Sequence, residues 1–250
     1  MTTSSFAFRE LARHIEERAR RELELSPLAL PPELAALDGE FRGRPAQLLA
    51  RAYSGPRHAY ARFVELVGDS LEIANVVIVA RPELPLPVLG VDLVGLGKDK
   101  AVVVADLSPM TDEPGRLSLE RAAIEADGAR ALPPESALEL PAWAERWFSK
   151  SALCVRVTPS ESVAACQVVA KMARAFMELS CAERAPERSN GNADSIGAPE
   201  RRGEVARRQQ AYLDAHRADD RGLLLLRRIF EPGVADRFLR EVLFPERMPA

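Results

Sequence analysis

The spacing of apolar residues near the start of the chain is that of a helix. Apolar side chains recur three or four positions apart between charged ones, which predicts an amphipathic helix over about 5–23. The apolar positions are Phe8, Leu11, Ile15 and Ala19. The prolines of "SPLALPPEL" then end the helical pattern. The sequence therefore predicts one helix followed by a break.

From residue 37 to residue 109 the pattern becomes that of strands. Short runs rich in Val, Ile and Leu are separated by turns that contain Pro or Gly. The strongest runs span 71–82, 86–94 and 100–109, and weaker ones lie near 37–52 and 57–67. Only "GLGKDK" separates two of the strong runs, which leaves no room for a crossover helix. Neighbouring strands should therefore be antiparallel, and "GLGKDK" is better explained as a hairpin turn than as a phosphate-binding loop.

The second half of the chain is mostly helical. One more strand is predicted at 151–158, and "TPSESV" then begins a long helix with a capping box formed by Thr158 and Glu161. The segments "LSLERAAIEADGARAL" and the C-terminal region also have helical patterns, whereas the polar segment at about 182–202 predicts a mobile loop. Antiparallel strands in the first half and helices at both ends indicate an α+β fold in a single domain, 1–250.

Charge and hydropathy narrow the class of protein. The chain has 250 residues and a formal net charge of −3, so as a whole it is a poor nucleic-acid binder. No apolar run reaches membrane-spanning length, and the N-terminus has no signal-peptide apolar region. We expect a soluble protein with no nucleic-acid or membrane partner. Clustered arginines indicate either solvated helix faces or docking of an acidic protein partner. The clusters are Arg18, Arg20 and Arg21; Arg201, Arg202, Arg207 and Arg208; and Arg227 and Arg228.

The cysteines and histidines argue against a metal site. Cys154, Cys166 and Cys181 form no CxxC pair, and their odd number favours a reducing compartment. The chain also lacks a strand-linked GxGxxG, a GxSxG elbow and an HExxH helix. We therefore expect no metal and no bound nucleotide cofactor.

Two polar residues interrupt otherwise apolar strands. Asp92 lies in "LPVLGVDLV" and Asn75 lies in "EIANVV". A buried carboxylate is costly unless it is paired or protonated, so each residue either faces water or belongs to a site. The pattern alone leaves both alternatives open. Asp106 in "VVVADLSP" is better explained by turn chemistry, and Asp219 with Asp220 by capping of the next helix.

Several blocks in the same order resemble the ferredoxin-dependent bilin reductases. They are "LEIANVVIVARPELPLPVLGVDLVG", "VVVADLSP", "LPAWAERWFS" and "YLDAHRADDRGLLLLRRIFEPGVADRFLREVLF". The similarity runs from about Leu37 to Phe244, and the segment at 182–202 is the main variable region. The most specific pieces are "LPVLGVDLV" and the C-terminal block.

The resemblance implies both a fold and a chemistry. The expected fold is a three-layer α/β/α sandwich, with a central antiparallel sheet between two layers of helices and an open-chain tetrapyrrole between the sheet and the C-terminal helices. These enzymes carry no metal, flavin or nicotinamide. Electrons arrive singly from reduced ferredoxin, and the reaction passes through bilin radicals. The implied partners are ferredoxin, a linear tetrapyrrole and, as further candidates, upstream or downstream bilin enzymes. The implied location is the plastid stroma in an alga or plant and the cytoplasm in a bacterium.

The resemblance also assigns site residues, position by position. Asp92 falls on the family's central catalytic aspartate, and Asp220 on the aspartate of the C-terminal helical side. Asn75 and Phe63 fall where phycocyanobilin-forming members have a histidine and a glutamate, and other branches have asparagine at the first of these positions. Arg221 could pair with a bilin propionate.

The expected reaction is reduction of biliverdin IXα or 15,16-dihydrobiliverdin towards phycoerythrobilin, with Asp92 and Asp220 as proton donors. The apolar neighbours of Asp92 are expected to raise the pKa of its carboxyl group, so that it holds a proton near neutral pH. Two alternatives are an enzyme like red chlorophyll catabolite reductase and a bilin carrier without activity.

Overall fold

The strands predicted from the sequence form one antiparallel sheet. The computed structural model describes residues 6–97, 99–111, 132–133, 136–182, 198–218 and 221–248. The strands are β1 (Ser26–Leu28), β2 (Ala36–Phe41), β3 (Arg44–Ser54), β4 (His58–Gly68), β5 (Leu71–Ala80), β6 (Val88–Leu96), β7 (Ala101–Ser108) and β8 (Leu153–Val157). Their order across the sheet is β1-β3-β4-β5-β6-β7-β8, and β2 also pairs with β3. Short connections join β2 to β7 in succession, and these connections dictate the antiparallel pairing of those strands. The pairs β1–β3 and β7–β8 are also antiparallel.

Helices cover both faces of this sheet. They are α1 (Phe8–Glu22), α2 (Pro32–Ala35), α3 (Ala142–Glu145), α4 (Pro159–Ala182), α5 (Ala198–Ala218), α6 (Arg221–Ile229) and α7 (Pro232–Phe238), and α7 continues into a π-helical turn, Leu239–Leu243. α1 and α4 pack on one face, and α5, α6 and α7 pack on the other. The α+β class and the three-layer arrangement expected from the sequence are therefore confirmed.

Alternation along the strands divides each strand between two cores. Phe63, Val76, Val91 and Val103 point towards α1 and α4, and all are buried. We call this side of the sheet the closed face. The residues between them point towards α5, α6 and α7, and we call that side the open face because several of its residues are only half-buried.

Charged residues on the closed face hold α1 in place. The helix starts after Ala7, which has a φ of 58° and provides no side-chain cap. Glu72 of β5 accepts a hydrogen bond from the backbone N–H of Arg9 at 3.1 Å, which satisfies a donor of the first turn. Nearby, Glu65 of β4 is buried and accepts hydrogen bonds from Arg13 and Arg51. These contacts pair each buried carboxylate with a donor.

Two local predictions have different outcomes. The capping box before α4 is confirmed, since Glu161 accepts a hydrogen bond from the N–H of Thr158 at 2.8 Å. The predicted loop at 182–202 is wrong at its end, because 198–202 already belongs to α5. Pro199 is compatible with the first turn of that helix, so a proline there marks a helix start. The rest of that segment and nearly all of "LSLERAAIEADGARAL" lie outside the described residues.

Candidate active site

The two polar residues noted in the apolar strands lie opposite each other. Asn75 of β5 pairs in register with Asp92 of β6, and the same row continues to Val104 of β7 and Cys154 of β8. All four point to the open face and are half-buried. Because neighbouring strands are about 4.8 Å apart, the row spans roughly 14 Å. It forms a long band that runs from the middle of the sheet to its edge strand, β8.

Asn75 and Asp92 are in direct contact. The side-chain amide Nδ2 of Asn75 donates a hydrogen bond to Oδ1 of Asp92 at 3.1 Å. The structure therefore brings together the two residues for which the sequence left a solvent-facing role and a site role open. Asp92 is neither fully exposed nor fully buried, so a ligand on the open face could reach its carboxyl group.

A third polar residue, Arg62 of β4, joins this pair and was missed in the sequence. It is fully buried, with 0% of its surface exposed. Its Nη1 donates to Oδ1 of Asn75, and its Nε donates to the backbone carbonyl of Leu243. The guanidinium also lies 4.9 Å from the ring centre of Phe244. The same criterion that identified Asn75, a polar residue in an apolar strand, would have identified Arg62.

An aromatic cluster adjoins Arg62 on the side of the C-terminal helices. The ring of His216 on α5 lies 4.4 to 4.8 Å from the rings of Tyr212, Trp143 and Phe244. Burial, followed by the positive charge of Arg62, lowers the pKa of His216 to about 3. The imidazole is therefore neutral. Within the described part of the chain, His216 Nε2 and Trp143 Nε1 are buried and have no hydrogen-bond partner.

Asp106 has a structural role that differs from the predicted one. Its carboxylate accepts hydrogen bonds from the hydroxyl of Ser108 and from the N–H of Ser149, which lies 43 positions away along the chain. Asp106 therefore anchors the segment before β8, and its contact with Ser108 lies within β7 and not in a turn. Burial, and then the charge of Asp106, raise the pKa of Tyr212. A Cβ atom at Gly90 would lie 3.2 Å from the Tyr212 hydroxyl, so the glycine lets this phenol pack on β6.

Three positions named in the family resemblance remain. Phe63, at the position where phycocyanobilin-forming members have a glutamate, is on the closed face and is fully buried. The register of β4 and β5 pairs Val64 with Asn75, which turns Phe63 away. Asp220 and the side chain of Arg221 lie outside the described residues, although Arg221 is the first residue of α6.

Neither a metal centre nor a membrane segment is found in the parts that the structure describes. No group of three or more His, Cys, Asp or Glu side chains there is close enough to hold a metal ion. No described helix combines the length and apolarity needed to cross a bilayer.

Cys154, at the β8 end of the row, carries no charge. Burial raises the pKa of its thiol, which keeps the thiol protonated.

Comparison with known proteins gives one family for nearly the whole chain. Residues 12–245 match the family described as "Ferredoxin-dependent bilin reductase". Curated relatives include phycocyanobilin:ferredoxin oxidoreductase from Gloeobacter violaceus, 25% identical over 89% of this chain and 83% of the relative. The same enzyme from Trichodesmium erythraeum is 25% identical, over 94% of this chain and 91% of the relative.

A solved structure agrees with the fold. The crystal structure of phytochromobilin synthase from tomato in complex with biliverdin has a TM-score of 0.79 to this chain and 17% sequence identity. The match covers 95% of this chain and 82% of the tomato protein. At this level of identity the similarity establishes the three-layer fold.

Proposed function

The chain belongs to the ferredoxin-dependent bilin reductases, and from this premise we propose that it reduces biliverdin IXα or 15,16-dihydrobiliverdin towards phycoerythrobilin. The observation that carries the proposal is the contact between Asp92 and Asn75 on the half-buried band of the open face. A band of this length suits a flat, conjugated ligand of several rings. If dihydrobiliverdin is the substrate, an upstream bilin reductase has to supply it, which makes such an enzyme a candidate partner.

Electrons and protons balance without a bound cofactor. Each two-electron reduction takes one electron from each of two reduced ferredoxins and two protons from the protein or from water. Dihydrobiliverdin needs one such reduction to reach phycoerythrobilin, and biliverdin needs two. The first electron makes a bilin radical, and protonation at one carbon commits that radical to product. The donor has to lie within hydrogen-bond reach of its target or one water away. The residues of this chain therefore bind the bilin, exclude bulk water and deliver protons.

Asp92 is the proposed proton donor on the sheet side of the bilin. Its carboxyl group lies among apolar strand residues and points to the open face, where a bound bilin would lie. Asp220 is proposed, from the family resemblance, to serve a second position from the helical side, with Arg221 pairing with a propionate. A neutral His216 and the aromatic rings around it would supply contact area and one hydrogen-bonding nitrogen.

Asn75 supports the phycoerythrobilin branch. A histidine at this position could exchange a proton with a bilin, whereas an amide keeps its protons at all ordinary pH values. In this chain the neighbour of Asp92 can therefore orient the carboxyl group but cannot share its acid–base work. The named relatives are phycocyanobilin enzymes at about a quarter identity, so the product has to be measured.

The test is an anaerobic assay with reduced ferredoxin, first with biliverdin and then with dihydrobiliverdin, followed by absorbance and product chromatography. Conversion of either pigment to phycoerythrobilin, or of biliverdin to 15,16-dihydrobiliverdin, supports the proposal. Phycocyanobilin as the product would overturn the branch but keep the bilin reductase activity. A stable pigment complex that reduced ferredoxin leaves unchanged would identify a carrier and overturn the reductase proposal.

A further inference from the structure

The buried guanidinium of Arg62 has no role in the proton transfer described above. A charge in the middle of a strand that is 0% exposed is costly to desolvate, so its contacts need a physical reason. Arg62 lies on the open face, beside Val64 and diagonal to Asn75 in the register of β4 and β5. Arg62 connects Asn75, the partner of Asp92, with the C-terminal segment, by which we mean Val242–Phe244.

Three contacts fix the guanidinium. Its Nε donates to the carbonyl of Leu243 at the end of the π-helical turn, and its plane lies near the ring of Phe244. Its Nη1 donates to Oδ1 of Asn75. A planar guanidinium has fixed donor directions, so anchoring Nε to the backbone also fixes where Nη1 points.

The contact with Arg62 decides which way the amide of Asn75 is turned. Arginine only donates hydrogen bonds, so the Asn75 atom that faces it has to be the oxygen. The nitrogen then faces Asp92 and donates to its Oδ1. Because a hydrogen bond to Oδ1 stabilises that oxygen as an acceptor, it favours protonation of the Asp92 carboxyl group on Oδ2. Arg62 thus acts, through the amide, on which oxygen of Asp92 carries the proton.

We propose that Arg62 is a positioning residue that keeps the Asp92 proton on Oδ2 by locking the Asn75 amide; this rests on the proposed role of Asp92 as proton donor. Without the guanidinium, the amide can turn its oxygen towards Asp92. The protonated carboxyl group then donates to Asn75 instead of to the bilin. The pigment still binds, but the step that protonates the radical slows.

The matched control is Tyr60 on the same strand. Its hydroxyl donates to the carbonyl of Val242 at 2.7 Å, so it links β4 to the same C-terminal segment and is also fully buried. None of the hydrogen bonds described for Tyr60 leads to Asn75. Tyr60→Phe and Arg62→Met each remove a link between β4 and the C-terminal segment, and Arg62→Met alone releases the amide.

The experiment measures the rate of a single turnover of a preformed biliverdin complex at saturating reduced ferredoxin. A positioned proton donor typically contributes 10²- to 10⁴-fold, so we expect Arg62→Met to slow this rate by roughly 10- to 100-fold with little change in pigment affinity. Arg62→Lys keeps a donor to Asn75 and should restore most of the rate. Tyr60→Phe should keep the wild-type rate even if it lowers the melting temperature.

A double-mutant cycle separates positioning from a general loss of structure. If Arg62 acts through the amide, substitution of Arg62 has no further effect on the rate in an Asn75→Leu background. If Arg62→Met does not fold, the cycle is run with Arg62→Gln, whose amide can donate or accept and therefore no longer fixes the direction of the Asn75 amide. Additive losses, or equal losses in Tyr60→Phe and Arg62→Met, would overturn the positioning role. An inactive wild-type protein would refute the proposed function instead, so the two failures are distinguishable.

Discussion

The two faces of the sheet differ in polarity and burial, although both are formed by alternate residues of the same strands. On the closed face, Val76, Val91 and Val103 are buried to 2% exposure or less under α1 and α4. Their immediate neighbours on the open face, Asn75 and Asp92, are polar and half-buried. The difference shows how a small domain can separate stability from chemistry without separate domains, since the strand period places every second residue on the other side.

The contacts described for buried charged residues also differ between the two faces. On the closed face, Glu65 is surrounded by arginines that include Arg13 and Arg51, so the charges neutralise each other directly. On the open face, Arg62 is held by a backbone carbonyl and by a neutral amide, and the carboxyl group of Asp92 lies one residue further along the chain of hydrogen bonds. The open face thus places the neutral amide of Asn75 in contact with both a cation and an acid.

The largest effect on the free energy of unfolding is expected on the closed face. Phe63→Ala removes a fully buried ring and leaves a cavity, which typically costs about 3–5 kcal/mol. Val104→Ala on the open face removes half-buried methyl groups and should cost about 1 kcal/mol. Denaturant unfolding of both variants measures the difference. Equal losses would show that the two faces contribute alike and would contradict the comparison.

A smaller effect on the free energy of unfolding is expected when the pH is lowered below about 6.5. His58, which packs against Phe176 of α4, is buried, and this burial lowers the pKa of its imidazole from 6.5 to about 4. Between these values the unfolded chain binds a proton that the folded chain does not. The contribution of His58 to the free energy of unfolding is therefore complete above about pH 6.5. It is lost as the pH falls towards 4, by at most about 1.4 kcal/mol per pH unit.

Comparison with His58→Gln isolates this contribution. The variant lacks the titrating ring, so its free energy of unfolding should decrease less steeply with acid between pH 6.5 and pH 4. Other groups, including His216, contribute equally to both proteins and cancel in the difference. The same slope in both proteins would mean that His58 is protonated as easily in the fold as in the unfolded chain.

Local patterns were sufficient to predict the sheet. The runs at 71–82, 86–94 and 100–109 became β5, β6 and β7, because their apolar residues and short connections allow no other pairing. Asn75 and Asp92 could be identified for the same reason, since each is a polar residue in such a run. Their mutual contact follows from the register once the strands are known to be neighbours.

Residues joined by long-range contacts were not predicted. Arg62 meets Leu243 across 181 positions, and no local pattern indicates that contact. The orientation of Phe63 depends on the turn at 69–70, where Gly68 pairs with Leu71. A shift of one residue in this register reverses the face of every side chain in β4, which spacing along the chain cannot resolve.

Asp92→Asn has the smallest expected effect on folding and tests the central claim most directly. The substituted side chain keeps an oxygen that can accept the Asn75 hydrogen bond, so the free energy of unfolding should change by no more than about 1 kcal/mol. The decisive measurement is a single turnover of the biliverdin complex of this variant with excess reduced ferredoxin. We predict wild-type pigment binding, a rate of product formation at least about 100-fold lower, and accumulation of a bilin radical. Product formation at the wild-type rate would contradict the assignment of Asp92 as the proton donor.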